Sequence, residues 1–322
     1  IRDSPWYVRA ASSNDATILG DALMQQPTFV TFVPGNDFAG YTLFGASGFT
    51  PPLELEGPTG MLAGVVGTIQ ALSSSVPNGV ITTLPDPTVS ATFNSVPYNA
   101  IPLDEATANQ VNALVNLYNG GLQFLQSIGQ LTADEVAVRT LAIRVAGDNP
   151  VLIQDETLTN LEAFDLPTWR DANENDKISL FAAPSLGQLV DGVNPANGIW
   201  GVTAGLPDFG VLIPSEIDEI QTKLATANAA IAASVPSGWA LFDLHALYNE
   251  VVTTGLQVDE YTMTGDLVFG GFFSLDGFHP TTRGSAAIAK RMMAAIDATW
   301  GSTLLDSGLE IGDYPTNYPP SM

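Results

Sequence analysis

Apolar residues recur along this chain in two rhythms, one suited to strands and the other to helices. Residues 28–33 (TFVTFV) form a compact β-rich run that breaks at Pro34-Gly35, which predicts a buried strand. Runs at 79–84 (GVITTL), 178–182 and 239–244 (WALFDL) predict three more. The helical rhythm fills the spaces between them. Asn14 or Asp15 can cap a short helix with Ile18, Leu19, Ala22 and Leu23 on one face. Residues 60–72 look helical, and 105–128 carry Val111, Leu114, Val115, Tyr118, Leu122 and Leu125 at helical spacing, interrupted by Gly120-Gly121. Ser215 is placed to cap a helix reaching Ala233, with Glu216, Asp218 and Glu219 in the first turn, where the helix dipole favours acids. A last helix follows Pro280, striped by Ala286, Ile288, Ala289, Met292, Met293 and Ile296.

Strands separated by helices predict an α/β fold with a mostly parallel sheet covered on both faces. Residues 130–176 and 185–214 depart from this pattern. They are expected to be insertions over one end of the sheet, the usual place for substrate-shaping loops. No repeat or low-complexity linker divides the chain, so residues 1–313 are expected to form one domain, with an extended tail at 314–322. A chain of 322 residues that is 45% hydrophobic can bury one sizeable core or two modest ones. No apolar run reaches the roughly 18 residues of a membrane span.

Charge narrows the partners. There are 34 acidic residues against 10 basic ones, a net charge of −24, and the lysines are Lys177, Lys223 and Lys290 alone. Phosphate attracts clusters of Lys and Arg, so this balance argues against nucleic acid and anionic membrane surfaces. An acidic, lysine-poor surface suits a secreted protein or saline surroundings, where screening relieves self-repulsion. Cysteine is absent, which removes disulfides, thiol nucleophiles and thiolate metal sites. The first nine residues carry neither a signal-peptide pattern nor an initiator Met, which implies processing or truncation upstream.

Two segments carry candidate chemistry. His245 and His279 are the only histidines, and His279 sits in Asp276-Gly277-Phe278-His279-Pro280 just before the last helix. An Asp three residues before a His can reach Nδ1–H when both lie on one turn. That bond fixes the tautomer and leaves Nε2 as a general base, and the same pair can also serve only as a helix-start cap. Pro280 disfavours helix at His279 and keeps it on the loop. The second segment is Pro34-Gly35-Asn36-Asp37, after the run 28–33. An Asn at the carboxyl end of a strand can aim its amide at a developing oxyanion, with Asp37 holding the loop through backbone hydrogen bonds. The same four residues also make a plain turn.

Together, a strand ending in Gly35-Asn36-Asp37 and an Asp276-Gly277-Phe278-His279-Pro280 segment before a helix resemble the third and fifth conserved blocks of SGNH/GDSL serine ester hydrolases. Residues 79–98 look like the strand and loop these enzymes place after the Asn block, and 239–247 like their penultimate strand. The opening to Gln26 is similar to the approach to the Asn block in large bacterial secreted members. The resemblance implies a three-layer, flavodoxin-like parallel sheet with helices on both faces and its first strand or strands missing here. By the same resemblance, Asn36 is an oxyanion-hole donor, His279 the general base and then acid, and Asp276 its orienting partner, with Gly35 and Asp37 supporting the loop. It further implies a small-molecule or lipid ester substrate, no cofactor or metal, and a secreted, periplasmic or cell-surface location. Pro34 stands where the family usually has Gly two residues before the Asn.

The family's nucleophilic Ser belongs to a G-D-S block after the first strand, and a second block supplies an oxyanion Gly. Neither precedes Asn36. Gly20-Asp21-Ala22-Leu23 comes near, but Ala replaces Ser within a helical pattern, so core packing is expected of it. Ser4, Ser12 and Ser13 follow no strand, Ser274 belongs to the base-carrying loop, and no Gly-x-Ser-x-Gly occurs. The nucleophile and first strand are therefore expected on an upstream segment or another chain, because a sheet without its central strand exposes long unpaired edges. The alternatives are a non-catalytic binding or structural protein on a degenerate SGNH fold, and one piece of a larger assembly. Asp171, Asn173, Asn175 and Asp176 mimic the start of a calcium loop but lack its sixth-position Gly and place Ala182 twelfth, so a solvated loop is expected. His245 reads as a satisfied helix-start histidine. Trp169, Phe181, Trp200, Phe209 and Phe272 suit either core packing or an acyl or aryl ester pocket.

Overall fold

The computed structural model describes residue 7, residues 10–46 and residues 54–318. Three of the apolar runs become strands β1 (Phe29–Phe32), β2 (Asn78–Thr82) and β3 (Ala240–Phe242). They pair in parallel in the order β1-β2-β3, with Phe29 opposite Asn78 and Val80 opposite Ala240. Side chains of β2 alternate between two clusters, as strand geometry requires. Ile81 joins Val65, Ile69, Ile220 and Leu224, whereas Val80 joins Leu247, Val251, Ala286 and Ala287. The protein is thus mixed α/β, with a short parallel three-stranded sheet and several small antiparallel pairs.

Eight α-helices are present among the described residues: α1 (Ile18–Met24), α2 (Asn36–Leu43), α3 (Met61–Ser73), α4 (Glu105–Ser127), α5 (Ala133–Arg139), α6 (Pro214–Ser234), α7 (Leu244–Thr253) and α8 (Thr282–Trp300). Their starts differ from the expected caps. Thr17, rather than Asn14 or Asp15, caps α1 by accepting from the Gly20 N–H at 3.0 Å. Pro214 takes the first position of α6, so Ile213 is the cap residue and Glu216 reaches back to accept from the Ile213 N–H at 2.9 Å. Helix α4 runs unbroken through Gly120-Gly121. A Cβ on Gly121 would stand 3.1 Å from Leu166 Cδ1, so this glycine admits a close neighbour instead of ending the helix.

Two strand expectations fail. β1 is not buried: it stands at one edge of the sheet and its residues are exposed or half-buried, whereas β3 at the other edge buries Ala240 and Phe242. Residues 178–182 do not join the parallel sheet. Lys177–Ile178 pair antiparallel with Val211–Leu212, and the Leu180 N–H then turns to the Thr92 carbonyl at 2.7 Å. The Gly20-Asp21-Ala22 stretch is helical, but Ile18 is 62% exposed and only Leu19 and Leu23 lean on the core.

The irregular stretches 130–176 and 185–214 share a third apolar cluster with α4, in which Val115 and Leu122 meet Leu131, Val136, Ile153 and Leu206. An ionic network lies alongside it. Arg170 binds Asp155 at 2.5 Å and both oxygens of Asp176 at 2.7 Å, with all three residues buried. Arg144 grips Asp171 with two nitrogens, and fully buried Arg139 meets Glu135 and the Thr159 carbonyl. The stretch expected to be a solvated loop exposes Asn173 to Asn175, but the aspartates on either side of them, Asp171 and Asp176, are ion-paired to guanidinium groups. Burial works to lower the Arg170 value, but Asp176 and Asp155 outweigh it and hold the guanidinium charged.

Replacing Arg170 leaves two buried carboxylates uncompensated. Arg170→Met is expected to cost about 3–5 kcal/mol, read as a fall in the urea midpoint. Full stability in Arg170→Met would mean that the network is not what secures this region.

Candidate active site

A cleft of about 140 Å³ opens where the three parallel strands end. Its walls are Val33 to Asn36 after β1, Leu84, Pro85 and Pro87 after β2, and Leu244 and Tyr248 after β3, closed by Phe278, His279 and Pro280. Ligands of open α/β sheets bind outside the carboxyl ends of the strands, and two sequence-predicted residues, Asn36 and His279, meet there.

The base-carrying loop is organised by one carboxylate. Asp276 Oδ2 faces His279 Nδ1 at 2.7 Å, and Oδ1 accepts from Ser274 Oγ at 2.7 Å and from the Phe278 and His279 N–H groups at 2.9 Å. Burial works to raise the Asp276 carboxyl, but these hydrogen bonds overcome it and hold it at about 2. Asp276 is thus ionised at neutral pH, and with the proton on Nδ1 the His279 Nε2 is left as an acceptor. The His279 side chain is 73% exposed, so its orientation comes from this bond rather than from packing. Gly277 makes the turn at φ +74°, and a Cβ there would stand 2.8 Å from the Thr92 nitrogen. Thr92 donates its N–H to the Gly277 carbonyl at 3.0 Å and its hydroxyl to the Asp276 carbonyl at 3.1 Å.

Asn36 is the first residue of α2 and is exposed to the cleft mouth. Gly35 before it adopts φ +129°, and no side chain caps the helix. The first N–H groups of α2, at its positive dipole end, therefore lie beside the Asn36 amide. The Asp37 side chain is exposed and makes no hydrogen bond among the described residues, so it does not hold the loop as expected. It adds negative charge to the first turn, where the dipole favours it. Gly35 supports the turn instead, its carbonyl accepting from the Ala39 N–H at 2.8 Å.

Tyr248, Thr92, Ser274 and Asn317 were not singled out as site residues from the sequence. Burial, then the charge of Asp276, pushes the Tyr248 phenol up to about 12, so it stays neutral against the cleft. Asn317 Nδ2 donates to the Phe273 carbonyl at 2.6 Å, tying the tail to the His279 loop. The Asp-Gly pair at 276–277 was the one local sign of a turn. Ser12 is held by Asp21, Ser274 faces Asp276 away from Nε2, and Ser4 lies outside the described residues. Among the described residues, those lining the cleft include no serine or threonine. His245, at the start of α7, donates its N–H to Thr83 Oγ1 at 3.0 Å and places Nε2 3.0 Å from Asn249 Nδ2. Its buried Nδ1 has no partner among the described residues, so it is only partly satisfied.

Elsewhere, Glu156, Asp208 and Glu216 bring carboxylate oxygens within 4.8 Å of one another, the one grouping among the described residues with the donors for a cation. Burial, then the Glu156 charge, pushes Asp208 up to about 6. A carboxyl group whose folded value lies above its unfolded one favours the fold only while protonated. The stability it contributes below about pH 4 is lost as pH rises through 6. Asp208→Asn is accordingly expected to raise stability at pH 8 by about 1 kcal/mol, after allowance for solvent screening, and to leave it nearly unchanged at pH 4. Thermal melts of both proteins across this range check it, and an equal difference at both pH values would contradict it.

Compared with known proteins, the chain matches no family model, no curated protein and no solved structure.

Proposed function

We propose that this protein is a carboxylic ester hydrolase of the SGNH/GDSL type, with His279 as general base, Asp276 as its orienting partner and Asn36 as an oxyanion donor. The single observation that carries the reading is the Asp276–His279 bond placed in one cleft with Asn36, at the carboxyl ends of parallel strands. In this reading the two clusters flanking β2 are the outer layers of a three-layer fold. Secretion or display at the cell surface fits the acidic composition, and no helix among the described residues is long and apolar enough to cross a membrane.

The nucleophile is a serine on a segment outside these residues. The free edge of β1 supports this reading, because among the described residues β1 pairs with β2 alone. A further parallel strand on that edge would lie about 4.8 Å from β1 and end beside Asn36. In the reaction, serine Oγ bonds to the ester carbonyl carbon as its proton passes to His279 Nε2. The negative oxygen is met by the Asn36 amide and the first N–H groups of α2, and the alcohol leaves with the proton from His279. Water then repeats the sequence on the acyl-enzyme, releasing the acid.

A fluorophosphonate probe tests this on the native protein. The expected result is one labelled serine, with labelling abolished in His279→Ala. Asn36→Ala is expected to lower kcat on a soluble aryl ester by about 10²–10³-fold, and Asp276→Asn by about 10²–10⁴-fold. Native protein that takes no label and cleaves no ester would sink the reading and leave a binding role on the same fold.

A further inference from the structure

We infer that the exposed face of α4 is a homodimer interface, covered by the same helix of a second copy running antiparallel; this does not rest on the hydrolase reading. The face follows a rhythm in the sequence. Leu114, Leu117, Gly121, Phe124 and Ile128 succeed one another at intervals of three, four, three and four residues, the seam spacing of a coiled coil. The core uses a different stripe of the same helix: Ala108, Val111, Val115, Tyr118, Leu122 and Leu125 are buried. Helical periodicity sets the two stripes side by side, so α4 is apolar over about half its circumference. The seam stripe is left in solvent, with Leu114 52%, Leu117 73%, Phe124 60% and Ile128 48% exposed. Surface helices bury one apolar stripe, and this helix carries a second that no described residue covers.

The shape of the face selects a second copy. A groove of about 500 Å³ runs over Gly120 and Gly121, walled by Leu117 and Phe124 on the helix and by Phe164 and Leu166 on the loop beside it. Leu117, the most exposed of the seam side chains, stands one helical turn from the glycine that opens the groove. Each surface thus carries both a projecting side chain and a recess. In an antiparallel pair related by a twofold axis level with Asn119, Leu117 of each copy enters the recess at Gly121 of the other, and Leu114 meets Phe124. A parallel pair in register would set Gly121 against Gly121 and leave the recess empty. The patch is therefore self-complementary in the sense that a twofold dimer requires.

Charge points to the same occupant. Two chains of net charge −24 repel one another over most of their surfaces, and they can meet only where neither presents a carboxylate. No acidic or basic side chain occurs from Ala106 to Ala133, and Asp165 is the single charged residue lining the groove. A basic partner protein would find almost nothing to pair with here, whereas an equally uncharged copy of α4 loses nothing by covering it. Salt screens the repulsion between the remaining surfaces, so it is expected to tighten the pair.

Sedimentation equilibrium of the native protein across the micromolar range, in low and high salt, tests the interface without reference to catalysis. A dimer is expected, tighter in high salt. Leu117→Glu is expected to weaken it about 100-fold. Gly120→Gln is expected to do the same by filling the recess; a Cβ at Gly120 meets nothing within 4 Å, so the monomer accepts it and its thermal melt is expected not to fall. Because the chain has no cysteine, Leu114→Cys and Phe124→Cys can be mixed and oxidised, and a disulfide between the two proteins is expected where neither alone gives one. A monomer at every concentration overturns the inference, whether the face proves bare or covered by another segment of its own chain. So does a dimer that both groove variants leave intact, or a cross-link formed by Leu114→Cys alone.

Discussion

One carboxylate gathers four donors: Asp276 faces His279 Nδ1 with Oδ2 and accepts from the Ser274 hydroxyl and two backbone N–H groups with Oδ1. The rest of the candidate site depends on this convergence. The loop from Phe273 to Pro280 is closed at its base by the Ser274 N–H on the His279 carbonyl at 2.7 Å, and the carboxylate fixes its interior. A histidine with three quarters of its side chain in solvent would otherwise sample several rotamers. Here its ring direction follows from the backbone. The turn in turn requires Gly277, because its left-handed backbone lets the carbonyl reach Thr92 and leaves no room for a side chain. A single residue type at one position therefore links the geometry of the base to the loop after β2.

What could be read in advance divides along sequence distance. The Asp276–His279 bond spans three residues, and the runs that became β1, β2, β3 and α8 carry their periodicity within themselves, so these were legible. Thr92 acts on Asp276 across 184 residues and Asn317 on Phe273 across 44, and no local pattern announces either. The apolar run at 178–182 has the composition of a buried strand, but hydrophobic content does not distinguish a sheet strand from a chain threaded between two loops. The run 28–33 shows its strand character but not its exposure, since composition does not say how fully each face of a strand is covered. The carboxylates between 171 and 176 have the spacing of a cation loop, yet the cations they meet are Arg144 and Arg170.

Those arginines bear on how so acidic a chain holds its irregular half together. Seven of the ten basic residues are arginines, and Arg139, Arg144 and Arg170 are buried beside the cluster built on α4. The planar, permanently charged guanidinium can satisfy two carboxylates at once, as Arg170 does with Asp155 and Asp176. Positive charge is thus drawn inward, where it orders loops, and the surface is left strongly negative. The composition and the internal architecture are two views of one distribution of charge.

The same ionic core has a consequence for the surface. Asp176, held by Arg170, immediately precedes the Lys177–Ile178 pair with Val211–Leu212, and that pair sets the register of Ser179 to Phe181 against Phe209 and Gly210. A loop positioned by buried ion pairs can present Phe181 and Phe209 to solvent without collapsing onto the core, because its backbone is already committed elsewhere. Apolar side chains on an unsupported loop would instead fold inward and bury themselves against the nearest cluster. The exposed aromatic side chains and the buried arginines are therefore coupled features, while the walls of the cleft, from the parallel strands, are fixed independently.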